Sequence, residues 1–195
     1  MNAAFEPPHP TRWRRAQSLI GQGVAAIDTP ALVIDLDAME RNLAHMAAYA
    51  RAHGLRLRPH AKMHKSAELA RLQMAHGAVG VCVQKTDEAL ALAHAGVTDV
   101  YISNEVIALP KLQRLAEAVR DLPTRFGIAI DSAAGVLRAA HPGVPLPSLG
   151  DTVWLVPGHC DPTVNLHDVM VGVRGGLVSG QVERLIRVDA RGAVG

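Results

Sequence analysis

The strongest constraint on this chain is a regular alternation of short apolar runs and helical runs closed by glycine. "ALVIDL" (31–36) reads as a strand, and the run from Asp37 to His53 reads as a helix ending at Gly54. Asp37, with Glu40 at the third helical position, has the form of a capping box. "LRLRPHAK" is extended, and "SAELARLQMAH" is helical with Gly77 after it. "VGVCVQ" is a strand and "TDEALALAHA" a helix closed by Gly96. "DVYIS", a helix from about Leu109 to Asp121, the strand "RFGIAI" and a short helix "SAAGVLRAA" capped by Asp131 continue the series. A glycine directly after a helix supplies the left-handed residue that stops it. Strands alternating with such helices predict βαβ units and a parallel sheet.

Around "HPGVPLPSLGD" the pattern changes: prolines and glycines punctuate, and no long helical pattern follows. "TVWLVPG", "TVNLHDVMVGV" and "QVERLIRVDA" read as strands, with "RGG" (174–176) a turn. The expected organisation is an irregular arm over 1–28, a barrel-type domain over 29–143 and a small β domain over 144–195. "GQGVAA" matches a dinucleotide-binding fingerprint, but "IDTP" breaks any helix after it, so the match carries no weight.

Composition narrows the function classes. A formal charge of +2 is too small to point to nucleic acid, and the cluster Arg12, Arg14 and Arg15 is local. No apolar run approaches the roughly 20 residues of a membrane helix. Cys82 and Cys160, without a secretory signal, suggest free thiols in a reducing, cytoplasmic setting. Cys82, inside "VGVCV", reads as a small buried apolar residue.

Two places can carry chemistry. In "RLRPHAKMHKS", Arg56, Arg58, His60, Lys62, His64 and Lys65 crowd together. Taken as a strand, Leu55, Leu57, Pro59 and Ala61 fall on one face and Arg56, Arg58, His60 and Lys62 on the other. In a βα barrel the apolar face packs on the helices, the polar face points inward, and Lys62 stands at the strand's C-terminal end, where such barrels hold active sites. Lys65, beyond the strand, is expected to be exposed. A lysine attacks a carbonyl when its amine is neutral, and desolvation and nearby positive charge both disfavour the ammonium form. Arg58 and His60 would supply that charge. By alternation alone, a charged edge strand in water accounts for the pattern better than a reactive amine.

The second place is "PGHCDPTVNLHD" (157–168), where His159 and Asp161 share a face in extended chain and Cys160 points away. A nitrogen and an oxygen ligand suit Zn²⁺ or Mn²⁺, although two ligands need water, a third residue or substrate to complete the shell. On spacing alone a polar turn is favoured. His167 and Asp168 read as turn residues.

Together, "TPALVIDLDAMERNLAHMAAYARAHGLRLRPHAKMHKSAELARLQ", "GAVGVCVQKTDEALALAHAGVTDVYISNEV" and "LVPGHCDPTVNLHDVMVGVRGG…RLIRVDARG" resemble the D-threonine aldolase and D-serine dehydratase-like group. That group belongs to the alanine-racemase-like, fold-type III enzymes that use pyridoxal 5′-phosphate. "KMHKS" with "VCVQK" leans towards its 3-hydroxy-D-aspartate aldolase branch. The resemblance implies that Lys62 is the Schiff-base lysine and that His60 and Gln84 are cofactor contacts. It also implies a divalent metal on His159 and Asp161. The dehydratases tend to carry cysteine at the second metal position, so Asp161 favours aldolase chemistry and Mn²⁺ over Zn²⁺. The implied activity is retro-aldol cleavage of small D-3-hydroxy amino acids to glycine and an aldehyde or glyoxylate, in a homodimer. A D-serine dehydratase-like deaminating lyase, or a non-catalytic remnant that binds a partner, are the alternatives.

The chain also departs from that family. A complete (β/α) barrel takes eight strands and about 250 residues. Here the barrel pattern stops after "RFGIAIDSAAGVLRAA", about four barrel strands in, and the β-domain signature follows almost at once. The expected fold is therefore α/β: a partial TIM-type barrel with about half its strands, plus a small C-terminal β domain. By the same resemblance, "ALVIDL" joins the β domain rather than the barrel. The family's glycine-rich phosphate-binding segment has no counterpart, and "RGG" is not it. An internally deleted product, a fragment completed by another chain, and an inactive remnant are the three explanations.

Overall fold

The computed structural model describes residues 10–130, 167–176 and 179–190. The chain divides into two compact units, Met1–Asn42 with Val169–Ile186, and Leu43–Asp168 with Arg187–Gly195.

In the first unit, helix α1 (Pro10–Gln17) precedes strand β1 (Val33–Asp35) and the start of helix α2 (Leu36–Ala52). Strands β5 (Val169–Arg174) and β6 (Gln181–Arg187) complete a three-stranded sheet in the order β1-β5-β6. β1 runs parallel to β5, pairing Val33 with Val171 and Asp35 with Val173. The strand "ALVIDL" thus joins the C-terminal strands, as the family resemblance implies. From Pro10 on, the arm is more ordered than its composition suggests. Pro10 opens a helix at a position that leaves its missing N–H without consequence. Gly21 and Val24 donate backbone hydrogen bonds to the carbonyls of Val182 and Gly180, both at 2.9 Å. Leu19, Val24 and Ile27 then cover the core residues Val171, Val173 and Val182. The "GQG" motif therefore lies along β6.

The second unit is α/β with parallel strands. Helices α3 (Ala67–Ala75), α4 (Thr86–His94) and α5 (Leu109–Asp121) alternate with strands β2 (Val81–Val83), β3 (Asp99–Glu105) and β4 (Arg125–Ala129). The sheet order is β2-β3-β4, and both pairings are parallel. Every residue of β2 is fully buried, as expected of a parallel strand covered on both faces. Val81, Val83, Leu92, Val97, Val100 and Ile102 form the centre of its core.

The glycine stops work locally. Leu55 N–H bonds Ala50 O at 2.8 Å and Gly54 N–H bonds Arg51 O at 3.1 Å, the paired bonds of a Schellman ending with Gly54 at φ 63°. The same pair of bonds closes α3 at Gly77 and α4 at Gly96. The N-terminus of α2 differs from expectation. Asp35, not Asp37, caps it by accepting from Ala38 N at 2.9 Å. Asp37 and Glu40 instead bind Arg174, at 2.9 and 2.7 Å. Arg174 also holds Glu183 at 2.9 Å, and Asp37 accepts from Gly175 N at 2.7 Å. An arginine fork satisfies a carboxylate with two charge-assisted bonds, which outcompetes a reach back to the helix's own backbone.

Candidate active site

The segment bearing the lysine cluster lies beside β2. Val79 N–H bonds Leu57 O at 2.9 Å, Cys82 N–H bonds Pro59 O at 2.8 Å, and His60 forms a parallel bridge with Cys82. Leu55 and Leu57 line a small apolar cavity of about 60 Å³ with Met46, Tyr49 and Ala50 of α2, so the apolar face packs on a helix as expected. The extended run ends at His60, earlier than alternation alone suggests. Ala61–Met63 is a single 3₁₀ turn, and His60 Nδ1 accepts from Lys62 N at 3.2 Å to start it. A neutral ring accepting at Nδ1 carries its proton on Nε2. Lys62 therefore sits on the turn just past the strand-like segment, on the C-terminal side, with its side chain half-buried. His60 beside it is buried.

Arg58 has a carboxylate partner of its own. Its Nη1 pairs with Asp99 Oδ1 at 2.6 Å, both side chains being largely buried. Gly80 makes room for this pair, because a Cβ there would meet Asp99 O at 2.8 Å. The guanidinium is thus paired with the first residue of β3.

Lys65 is buried, at 3% exposure, where the sequence suggests a solvated side chain. Its ammonium pairs with Glu88 Oε1, and both side chains are 4% exposed. Glu88 Oε2 accepts from the backbone N–H groups of Gln84 (3.1 Å) and Lys85 (3.2 Å). Breaking such a pair by removing one partner strands a buried charge and costs roughly 3–5 kcal/mol. Gln84 follows β2 directly and is half-buried. The sequence offers one hint of Glu88, a carboxylate at the third position of α4, but no hint of its partner.

His64 is also buried. Its Nδ1 accepts from Ser66 N at 3.1 Å, and Nε2 faces Gln73 Oε1 at 3.3 Å. Burial pushes its pKa down to about 4, opposed by the Gln73 hydrogen bond and helped by His60. Cys82 is a fully buried free thiol, as expected, and burial pushes its pKa up. His159, Cys160 and Asp161 lie outside the described residues. Among the described residues no group of three or more His, Cys, Asp or Glu could hold a metal ion, and no helix is long and apolar enough to cross a membrane.

Residues 34–133 match the family model of the alanine racemase N-terminal domain. The chain is 45% identical over 121 residues to a D-threonine aldolase from Arthrobacter sp., covering 62% of this chain and 31% of that protein. It is 50% identical over 100 residues to a 3-hydroxy-D-aspartate aldolase from Paracoccus denitrificans (strain Pd 1222), covering 51% and 26% respectively. The crystal structure of a D-threonine aldolase from Filomicrobium marinum aligns with a TM-score of 0.58 at 48% identity, over 62% of this chain and 32% of that one. The chain spans less than a third of the length of the relatives it matches.

Proposed function

As this chain belongs to the alanine racemase N-terminal domain family, we propose that it is a pyridoxal phosphate-dependent lyase chain acting on small D-3-hydroxy amino acids, with Lys62 as the amine that holds the cofactor. The observation that carries this reading is the position of Lys62: half-buried, on a turn at the C-terminal side of parallel strands, beside buried His60. The likeness to two aldolases of D-amino acids supports the choice of reaction and substrate class.

Lys62 and His60 fit the aldehyde end of pyridoxal phosphate. A primary amine there can bond to the carbonyl carbon, and the neighbouring ring can donate from Nε2. Gln84, on the next loop, is the proposed side-chain contact. When bound, the cofactor supplies an electron sink for cleavage beside the α-carbon. The residues of this chain contribute the rest: the His60 Nδ1 bond fixes the Lys62 backbone at the start of the turn. The metal pair His159 and Asp161, with Mn²⁺ as the proposed ion, belongs to the same reading. A homodimer in the cytoplasm completes it, with 29–143, apart from the β1 strand that pairs with β5, contributing the barrel portion and 144–195 the rest of the β domain.

The test is direct. The chain is incubated with pyridoxal phosphate, reduced with borohydride, digested and mapped by mass spectrometry. A reduced adduct on Lys62, absent in Lys62→Met, is expected. Glycine released from D-threonine or 3-hydroxy-D-aspartate in the presence of Mn²⁺ marks aldol cleavage, whereas pyruvate and ammonia from D-serine mark dehydration. A folded chain whose Lys62 takes no adduct excludes the proposal.

A further inference from the structure

Lys65 is the one non-glycine residue with positive φ among the described residues, at 50°. Glycine is the residue that adopts this region without steric cost. At Lys65 the turn closes through a backbone bond, its N–H bonding Ala61 O at 2.7 Å across Lys62. Nothing in that closure requires a lysine. What requires one is the buried carboxylate of Glu88, which takes the ammonium on Oε1 and the amides of Gln84 and Lys85 on Oε2. The carbonyl of Lys65 meanwhile accepts from Ala190 N at 3.0 Å.

One carboxylate therefore ties together two loops on the same side of the sheet. The first follows the extended segment and bears Lys62; the second follows β2 and bears Gln84. We infer that Lys65 and Glu88 form a positioning unit that fixes the Lys62 turn against the Gln84 loop, so that the Lys62 amine meets an aldehyde-bearing cofactor in one orientation. This inference rests on the function proposed above. A mobile Lys62 turn would lose the orientation that makes addition fast, and holding two reacting groups in register is a large source of rate.

The experiment uses the full 195-residue chain with Lys65→Met, Glu88→Gln and the charge-keeping Lys65→Arg. The rate at which pyridoxal phosphate becomes fixable on Lys62 by borohydride should fall about tenfold or more in the first two, in the range that lost orientation commands. It should recover in Lys65→Arg, while all three still unfold cooperatively. An unchanged rate in folded Lys65→Met overturns the inference. Should Lys65→Met fail to fold, the double variant Lys65→Met/Glu88→Met removes both buried charges and is read the same way. If the parent chain takes no adduct at all, the proposed function fails and hydrogen exchange decides the positioning claim separately. Local loss of protection at the Lys62 and Gln84 amides together in Glu88→Gln sustains it, and unchanged protection overturns it.

Discussion

His64 links the protonation of one ring to the turn that carries Lys62. Its pKa lies near 4 because burial penalises the charged ring, with His60 adding to the effect. Between about 4 and the ordinary 6.5, the unfolded chain binds a proton that the folded chain refuses. Stability then rises with pH across that window and is lost on acidification through it. The full difference is roughly 3 kcal/mol. The urea midpoint should fall steadily between these limits, and His64→Asn, whose Oδ1 can still accept from Ser66 N, should flatten the fall. An equally steep fall in the variant would assign the effect elsewhere. Lys65, one position on, marks the limit of reading residues from sequence. Alternation put it past the strand and in solvent, yet it is buried because Glu88, 23 residues later, receives its ammonium. Arg58 is similar: its partner Asp99 lies 41 positions on. A charge can be seen in a sequence, whereas the partner that buries it depends on tertiary contact.

Among the elements, what was local was legible. The helices after Gly-terminated runs, the parallel strands between them and the span Leu109–Asp121 follow from propensity and periodicity, which act within a few residues. The capping box at Asp37 was legible too, and misleading. Arg174, at the end of β5, draws in Asp37, Glu40 and Glu183 together and holds each carboxyl below its ordinary value. Those groups stabilise the fold above their unfolded pKa values, and the effect is lost as pH falls through the lowered ones, a window that opens at the acidic end of that of His64. The same helix approaches β5 closely at Gly172. A Cβ added there would meet Leu36 Cδ2 at 2.7 Å, and Leu36 is only 1% exposed, so it has nowhere to swing. Gly172→Ala should therefore cost about 1–3 kcal/mol through overpacking. It should lower the urea midpoint without changing the slope. Combined with Leu36→Ala, which empties the space, the two losses should fall well short of additive. Full additivity would mean that the helix shifts rather than the side chain.

At the scale of the whole molecule, the switch from βαβ grammar to short strands was readable because proline and glycine density changes the local chain statistics. The joining of β1 to β5 was readable only through resemblance to a family, since the two strands lie more than a hundred positions apart. His159 and Asp161 fall outside the described residues. Charge is a property of the whole chain that the sequence does fix: +2 at neutral pH and an isoelectric point near 8.7. So small a charge gives weak self-repulsion. Ile107 and Leu109, 65% and 64% exposed, offer apolar contact between copies. Self-association should therefore be strongest near pH 8.7, where net charge vanishes. It should weaken towards pH 6 as the net positive charge grows below that point. Light scattering at fixed protein concentration across that range measures it, and added salt should matter most at the acidic end, where there is charge to screen. If scattering stays level across the whole range, apolar contact alone governs association, and Ile107→Ser with Leu109→Ser becomes the variant that should disperse the chain.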